Sequence, residues 1–172
     1  MDEANKIQEY TLCFVLDKKS NCLMIQRRHP PHQGLWNAPG GKLAEGESAR
    51  DCCAREVAEE TGLRVIPRPA GIVECLDQRQ PGITYRLHVF KASHRRVAVR
   101  GGREGKLAWV PLDALTRGAG IVHNIPLFLP LVLANLWFSA RFNYRGDYLL
   151  DYAVNLAEKG DGMPLNNHSY II

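Results

Sequence analysis

The sequence predicts an α/β or α+β protein, a layered sheet with helices on its faces. Three observations lead there. Runs rich in apolar and β-branched residues recur between polar turns, as strands do. A helix is marked at both ends, by Ser48 and by Gly62. The resulting order is strand, strand, long loop, helix, strand, strand, helix, strand, strand, so runs of strands alternate with a few helices. With 172 residues, of which 45% are apolar and 23% charged, the chain is one domain's worth of ordinary globular composition.

Taken in order, Tyr10 to Leu16 and Cys22 to Gln26 are apolar strands flanking the polar turn 17–21. Residues His29 to Gly41 are dense in proline and glycine and read as loop. Ser48 to Asp51 has capping-box spacing and opens a helix that Gly62 closes. Arg64 to Glu74 and Thr84 to Lys91 are strands joined through Gln80-Pro81-Gly82 as a hairpin. Ala92 to Lys106 carries His94, Arg95, Arg96, Arg100, Arg103 and Lys106; it reads first as a solvated loop and second as a phosphate-facing patch. A buried pattern returns at Trp109 to Leu115. Pro126 to Phe138 is an apolar helix with proline in its first turn. Phe142 and Tyr144, Gly146-Asp147, and Tyr148 to Leu156 form a last hairpin, and Lys159 to Ile172 a loose tail. The expected organisation is a domain over residues 1–158 and a tail over 159–172.

Composition narrows the function. A net charge of +4 permits anionic substrates without demanding nucleic acid. Five cysteines, an odd number with no C-x-x-C, argue against a disulfide framework and a cysteine zinc site, and for reduced thiols in a cytoplasmic protein. The start of the chain is polar, with no secretory signal visible. The longest apolar stretch, Ile125 to Phe138, is short of the roughly 20 residues of a membrane span and holds two prolines. The six histidines show no ligand spacing.

The chemistry concentrates between Gly40 and Leu63. Glu56, Glu59 and Glu60 stand at i, i+3 and i+4 and share a helix face, while Cys53, Ala54, Val57 and Ala58 occupy another arc. Like charges so placed repel by about 0.2–0.5 kcal/mol per pair in an exposed helix. A hard divalent cation would reverse that penalty, although glutamate is also simply a good helix former. Gly40-Gly41 permits close backbone approach, Lys42 is a point charge suited to phosphate, and Arg55 lies within reach of Glu59. Flexible backbone, a cation and a carboxylate cluster together suit phosphoanhydride chemistry, where positioning and charge neutralisation dominate.

The run Gly41, five residues, Glu47, seven residues, Arg55-Glu56-Val57, one residue, Glu59-Glu60, one residue, Gly62-Leu63 matches the Nudix box at every defined position. The chain therefore resembles the Nudix hydrolases, which cleave a nucleoside diphosphate linked to another group. The resemblance implies an α/β/α sandwich around a mixed β-sheet. Tyr10-Thr11-Leu12, Leu35-Trp36-Asn37, His88-Val89-Phe90, Trp109, Phe142 to Tyr144 and Leu149-Leu150-Asp151-Tyr152 further resemble the oxidised-purine nucleoside triphosphatases of that family, which destroy 8-oxo-dGTP.

Carried over by that resemblance, the metal donors would be the Gly40 carbonyl, Glu56, Glu59, Glu60 and Glu104, holding Mg²⁺ or Mn²⁺. Glu56 would take a proton from the attacking water, with Glu59 and Arg55 also in the catalytic group, and Lys42 would meet phosphate. Asn37 would contact the base. Asn124, two residues before Pro126, would read an oxidised guanine in the bacterial mutator-type manner; an amide offers both donor and acceptor. Asn124 has a second role open to it, as cap of the helix near Pro126. The expected partner is a nucleotide, not a membrane or a nucleic acid, and the sequence sets no oligomeric state. Rival readings are a Nudix enzyme for ADP-ribose, a dinucleoside polyphosphate or an RNA 5′ end, and a non-catalytic nucleotide sensor, which would usually have lost box glutamates.

Overall fold

The computed structural model describes residues 6–118 and 120–156. The expected 159–172 tail lies outside them. The strands are β1 (Lys6–Leu16), β2 (Asn21–Arg27), β3 (Trp36–Asn37), β4 (Arg68–Asp77), β5 (Ile83–Ser93), β6 (Gly105–Pro111), β7 (Phe138–Arg145) and β8 (Tyr148–Leu156). The helices are α1 (Ala49–Thr61), α2 (Leu112–Arg117) and α3 (Ile125–Leu133). All eight strands join one mixed sheet in the order β3-β2-β1-β5-β4-β7-β8, with β6 on the remaining edge of β2. The pairs β1–β5 and β4–β7 are parallel and the others antiparallel.

The side-chain period of two along β1 explains the layers. Leu12 and Phe14 face one core, with Phe128, Leu129 and Val132 of α3. Cys13 and Val15 face the other, with Cys53 and Val57 of α1 and Trp109 of β6. A strand buried on both faces reads as a continuous apolar run, which is how β1 reads. The result is the expected α/β/α sandwich, with α1 on one face and α2 and α3 on the other.

The sheet forks beside α1. β1 pairs with β2 only at Val15↔Leu23 and Leu16↔Cys22. Beyond that, β3 takes the edge of β2, and the segment after it runs along β1: Cys13 N–H donates to the Pro39 carbonyl at 2.8 Å, Thr11 N–H to Gly41 at 2.8 Å, and Leu43 N–H to Glu9 at 3.0 Å. This fork carries Gly40-Gly41 to the middle of the molecule.

Three sequence expectations need correction, and two others gain detail. The strand expected from Arg64 begins at Arg68, just past Pro67, which has no N–H for a ladder. The helix expected to reach Phe138 ends at Leu133; Asn135 takes a φ of +57°, and Phe138 opens β7 instead. The loop 29–41 contains β3, and the buried pattern at Trp109 to Leu115 is the end of β6 followed by α2. The basic segment is a loop pinned from beneath: Trp109 Nε1 donates to the Val97 carbonyl at 2.9 Å, Val97 and Val99 pack on the core, and Arg95, Arg96, Arg100 and Arg103 are exposed.

Candidate active site

Helix α1 is fixed before it presents any chemistry. Ser48 Oγ accepts from the Asp51 N–H at 3.1 Å, capping the first turn, and Gly62, at a φ of +73°, ends the helix with its N–H on the Ala58 carbonyl. Cys52, Cys53 and Val57 are fully buried and seat the helix on the sheet. The opposite face then holds Glu56, Glu59 and Glu60.

Arg55 organises this face through a partner other than the expected one. Its Nε and Nη2 donate to the two carboxylate oxygens of Glu47 at 2.8 and 2.9 Å, a bidentate grip. Its Nη1 donates to Glu56 at 2.7 Å and reaches Glu59 only at 3.4 Å. Glu47 also accepts from the Ala44 N–H at 3.0 Å. Hydrogen bonds from Arg55 first, and from Ala44 second, hold the Glu47 carboxyl down at about 2. Glu47 ties the glycine-rich loop to α1, a role that the helical spacing of Arg55 and Glu59 does not disclose.

The two glycines are required by what they touch. A Cβ on Gly40 would strike the Thr11 carbonyl, and a Cβ on Gly41 would strike the Glu56 carboxylate. Glu60 turns towards this loop and accepts from the Gly40 N–H at 3.0 Å. Burial pushes the Glu60 carboxyl up to about 7; the Gly40 hydrogen bond opposes this, and Glu56 and Glu104 add to it. Glu104 thus stands within electrostatic reach of Glu60, and the two line one small hollow with Gly40, Arg27 and His29. The pairing Arg27↔Gly105 places it there, and a Cβ on Gly105 would strike the Gln26 carbonyl. Among the described residues no three His, Cys, Asp or Glu side chains close on one point as a ready-made cage. Arg55 engages Glu56 and Glu59, while Glu60 is turned to the glycine loop.

Beside this cluster opens a cleft of about 490 Å³, whose wall includes Gly40, Gly41, Asn37, Cys75, Asn124 and Tyr144. Asn37 sits on β3 opposite Ile25. Asn124 is buried at the start of α3, and the alternatives open for it narrow: its side chain makes no cap hydrogen bond. Its Nδ2 instead lies 3.8 Å from the Cys75 sulfur. Lys42 is exposed, its backbone bridged to Tyr10. Both asparagines thus share a cleft with Gly40 and Gly41, the two glycines that meet Glu60 and Glu56. Sequence reasoning quoted Glu47 in the box and Tyr144 in the resemblance without a role for either, and missed Cys75 and Asp77; Cys75, Asp77 and Tyr144 reach the cleft from the ends of β4 and β7, which pair in parallel far apart in the chain.

Comparison with known proteins agrees with this architecture. The NUDIX domain model matches residues 6–128. The chain is 32% identical over 144 residues to the uncharacterized Nudix hydrolase YvcI of Bacillus subtilis (strain 168), covering 72% of this chain and 89% of that protein. It is 29% identical over 147 residues to the oxidized purine nucleoside triphosphate hydrolase of Mus musculus, covering 84% and 92%. The crystal structure of a mutator MutT protein from Bacillus halodurans is similar with a TM-score of 0.73 at 29% identity, over 91% of this chain and 99% of that one. With the box intact, the fold shared and the domain matched over most of its length, the chain belongs to the Nudix hydrolase family.

Proposed function

We propose that this Nudix hydrolase is a Mg²⁺-dependent pyrophosphohydrolase of nucleoside triphosphates, acting on oxidised purines such as 8-oxo-dGTP and releasing monophosphate and pyrophosphate. One observation carries the reading: the cleft that contains both asparagines is continuous with Gly40 and Gly41, against which the carboxylates of α1 pack. A base in the cleft would extend its phosphates towards those carboxylates.

Nudix hydrolases generally use divalent metal ions, and the donors here fit one chemically. All are oxygens, and Glu56 and Glu104 lie within electrostatic reach of Glu60, so carboxylates gather beside the glycine loop. Gly40, Glu56, Glu59, Glu60 and Glu104 would hold the cation, with Mn²⁺ as a substitute for Mg²⁺. When bound, it would neutralise the phosphate chain as negative charge develops. The chain's own residues do the rest. Glu56, its rotamer fixed by Arg55, takes the proton of the attacking water; Lys42 meets phosphate; Asn37 and Asn124 orient the base. All five cysteines are free thiols, which suits a cytoplasmic enzyme. Among the described residues no helix is long and apolar enough to cross a membrane.

The test is a substrate panel with Mg²⁺, scoring monophosphate release and kcat/KM for each of 8-oxo-dGTP, dGTP, dCTP, ADP-ribose, a dinucleoside polyphosphate and a triphosphorylated RNA end. The expected order puts 8-oxo-dGTP first. A higher kcat/KM for ADP-ribose, the dinucleotide or the RNA end replaces this reading with that substrate.

A further inference from the structure

We infer that the Tyr144 hydroxyl is a specificity-determining group that hydrogen-bonds an oxopurine base on the floor of the cleft. The inference rests on the cleft holding the base of a nucleotide. Phe138, Ala140, Phe142 and Tyr144 form the inward row of β7, and all four are buried. All four belong to one core cluster, and the fourth, at the end of the strand where the ladder to β8 shifts register, also lines the cleft. Packing alone would be served there by another phenylalanine.

The hydroxyl is what packing does not explain. Tyr144 is 5% exposed, yet its Oη has no hydrogen-bond partner among the described residues. Buried hydroxyls in native proteins are nearly always paired, because an unpaired one has lost water and gained nothing. Nor is it alone. His32 Nδ1, on a ring 6.2 Å from that of Tyr144, is also without a hydrogen bond, with Asp147 at 3.7 Å. The residues that carry two of the three such atoms among the described residues line this one cleft. Asn124 adds an amide whose Nδ2, among the described residues, has only the Cys75 sulfur at 3.8 Å. The cleft thus holds several polar atoms underused by the protein itself, the condition of a site built for a polar ligand.

Burial pushes the Tyr144 phenol above its ordinary range, so it remains a neutral O–H with a lone pair to spare. Such a group donates to a carbonyl and accepts from an N–H. An oxidised purine presents both side by side, and the Asn124 amide supplies a second donor and acceptor.

The test is Tyr144→Phe, which removes one oxygen and keeps the ring. Affinities for 8-oxo-dGMP, dGMP and dCMP are measured by calorimetry in EDTA, so that the metal and the chemical step play no part. Melting midpoints are measured on the same preparations, and so is the hydrolysis of 8-oxo-dGTP, with its rate separated into KM and kcat. The expected result is a melting midpoint equal to or above wild type, because no internal bond is lost. Affinity for 8-oxo-dGMP should weaken about 3- to 10-fold, the scale of one net hydrogen bond, with a smaller change for dCMP. The kinetic loss should fall on KM. Unchanged affinity in a wild type that prefers 8-oxo-dGMP overturns the role of Tyr144 and leaves the proposed substrate standing. A wild type that prefers another nucleotide, bound more weakly by the variant, overturns the substrate and keeps Tyr144 as a reader of its base. A wild type that binds none of the three overturns both.

Discussion

Single atoms decide what Glu56, Gly41 and Asn124 contribute. Glu56→Gln keeps the size of the side chain and its bond to Arg55 but cannot take a proton, so kcat should fall by about 10²–10⁴-fold. Glu59→Gln withdraws one anionic donor and should also fall mainly in kcat; near-wild-type turnover by either variant would remove that residue from the chemistry. Gly41→Ala is a subtler probe. Its Cβ would displace the flexible end of Glu56, so kcat should drop with the melting midpoint nearly held. Gly40→Ala would instead meet the Thr11 backbone and should destabilise the fold. Asn124 separates two functions that sequence leaves open. Loss of an N-cap costs about 1 kcal/mol, but the Asn124 side chain caps nothing, so Asn124→Ala should melt near wild type. Its kcat/KM ratio for 8-oxo-dGTP over dCTP should fall several-fold, as should that of Asn37→Ala, since a net hydrogen bond is worth about 0.5–1.5 kcal/mol. A ratio unchanged in both variants would take base reading away from the asparagines.

Among the elements, α1 and the loop before it act as one piece because Arg55 grips Glu47 across eight residues. That bond has a pH signature. The folded carboxyl of Glu47 is held at about 2, below its ordinary 4.5, so its contribution is complete above 4.5 and is lost as pH falls from there towards 2. Glu47→Gln should therefore lower the melting midpoint at pH 6–7, and the gap to wild type should close as the solution is acidified through that window. A gap that is constant from pH 6 to pH 3 would show that Glu47 acts by packing alone. The length of α1 is legible in sequence because its signals are local: a serine cap, a glycine stop, and glutamates one turn apart. So are β1, β2 and the β4–β5 hairpin. The rest is set by pairing across the chain. Ile125 to Phe138 is apolar on every side, so no periodicity marks where α3 ends and β7 begins. β3 has two residues and exists only because the fork leaves an edge of β2 open. Glu104 lies in a loop by composition, and only the β2–β6 register carries it to Glu60. Tyr144 reads as a strand aromatic, and its orphaned hydroxyl is a fact of three dimensions.

For the molecule as a whole, the proposed donors for a cation come from three places that only folding unites. Gly40 is in the loop at the fork, Glu56, Glu59 and Glu60 are on α1, and Glu104 precedes β6. The unfolded chain holds no such set, so a cation that binds here binds the native state and stabilises it by mass action. At a free concentration ten times its Kd the gain is about 1.4 kcal/mol, which for a domain of this size raises the melting midpoint by about 3–6 °C. The rise should be smaller in Glu104→Gln, and smaller again in Glu60→Gln, whose carboxyl carries the strain of burial and of both neighbours. NaCl matched in ionic strength should reproduce little of it, because diffuse screening does not depend on a set of donors meeting at one place. Excess EDTA should abolish hydrolysis, and added Mg²⁺ or Mn²⁺ should restore it. Thermal melts titrated with Mg²⁺, run beside turnover in EDTA, put the same cation to two independent tests. Full turnover in EDTA would end the metal-dependent reading. A melting rise equal in wild type and Glu104→Gln would leave the hydrolase metal-dependent and remove Glu104 from its donors.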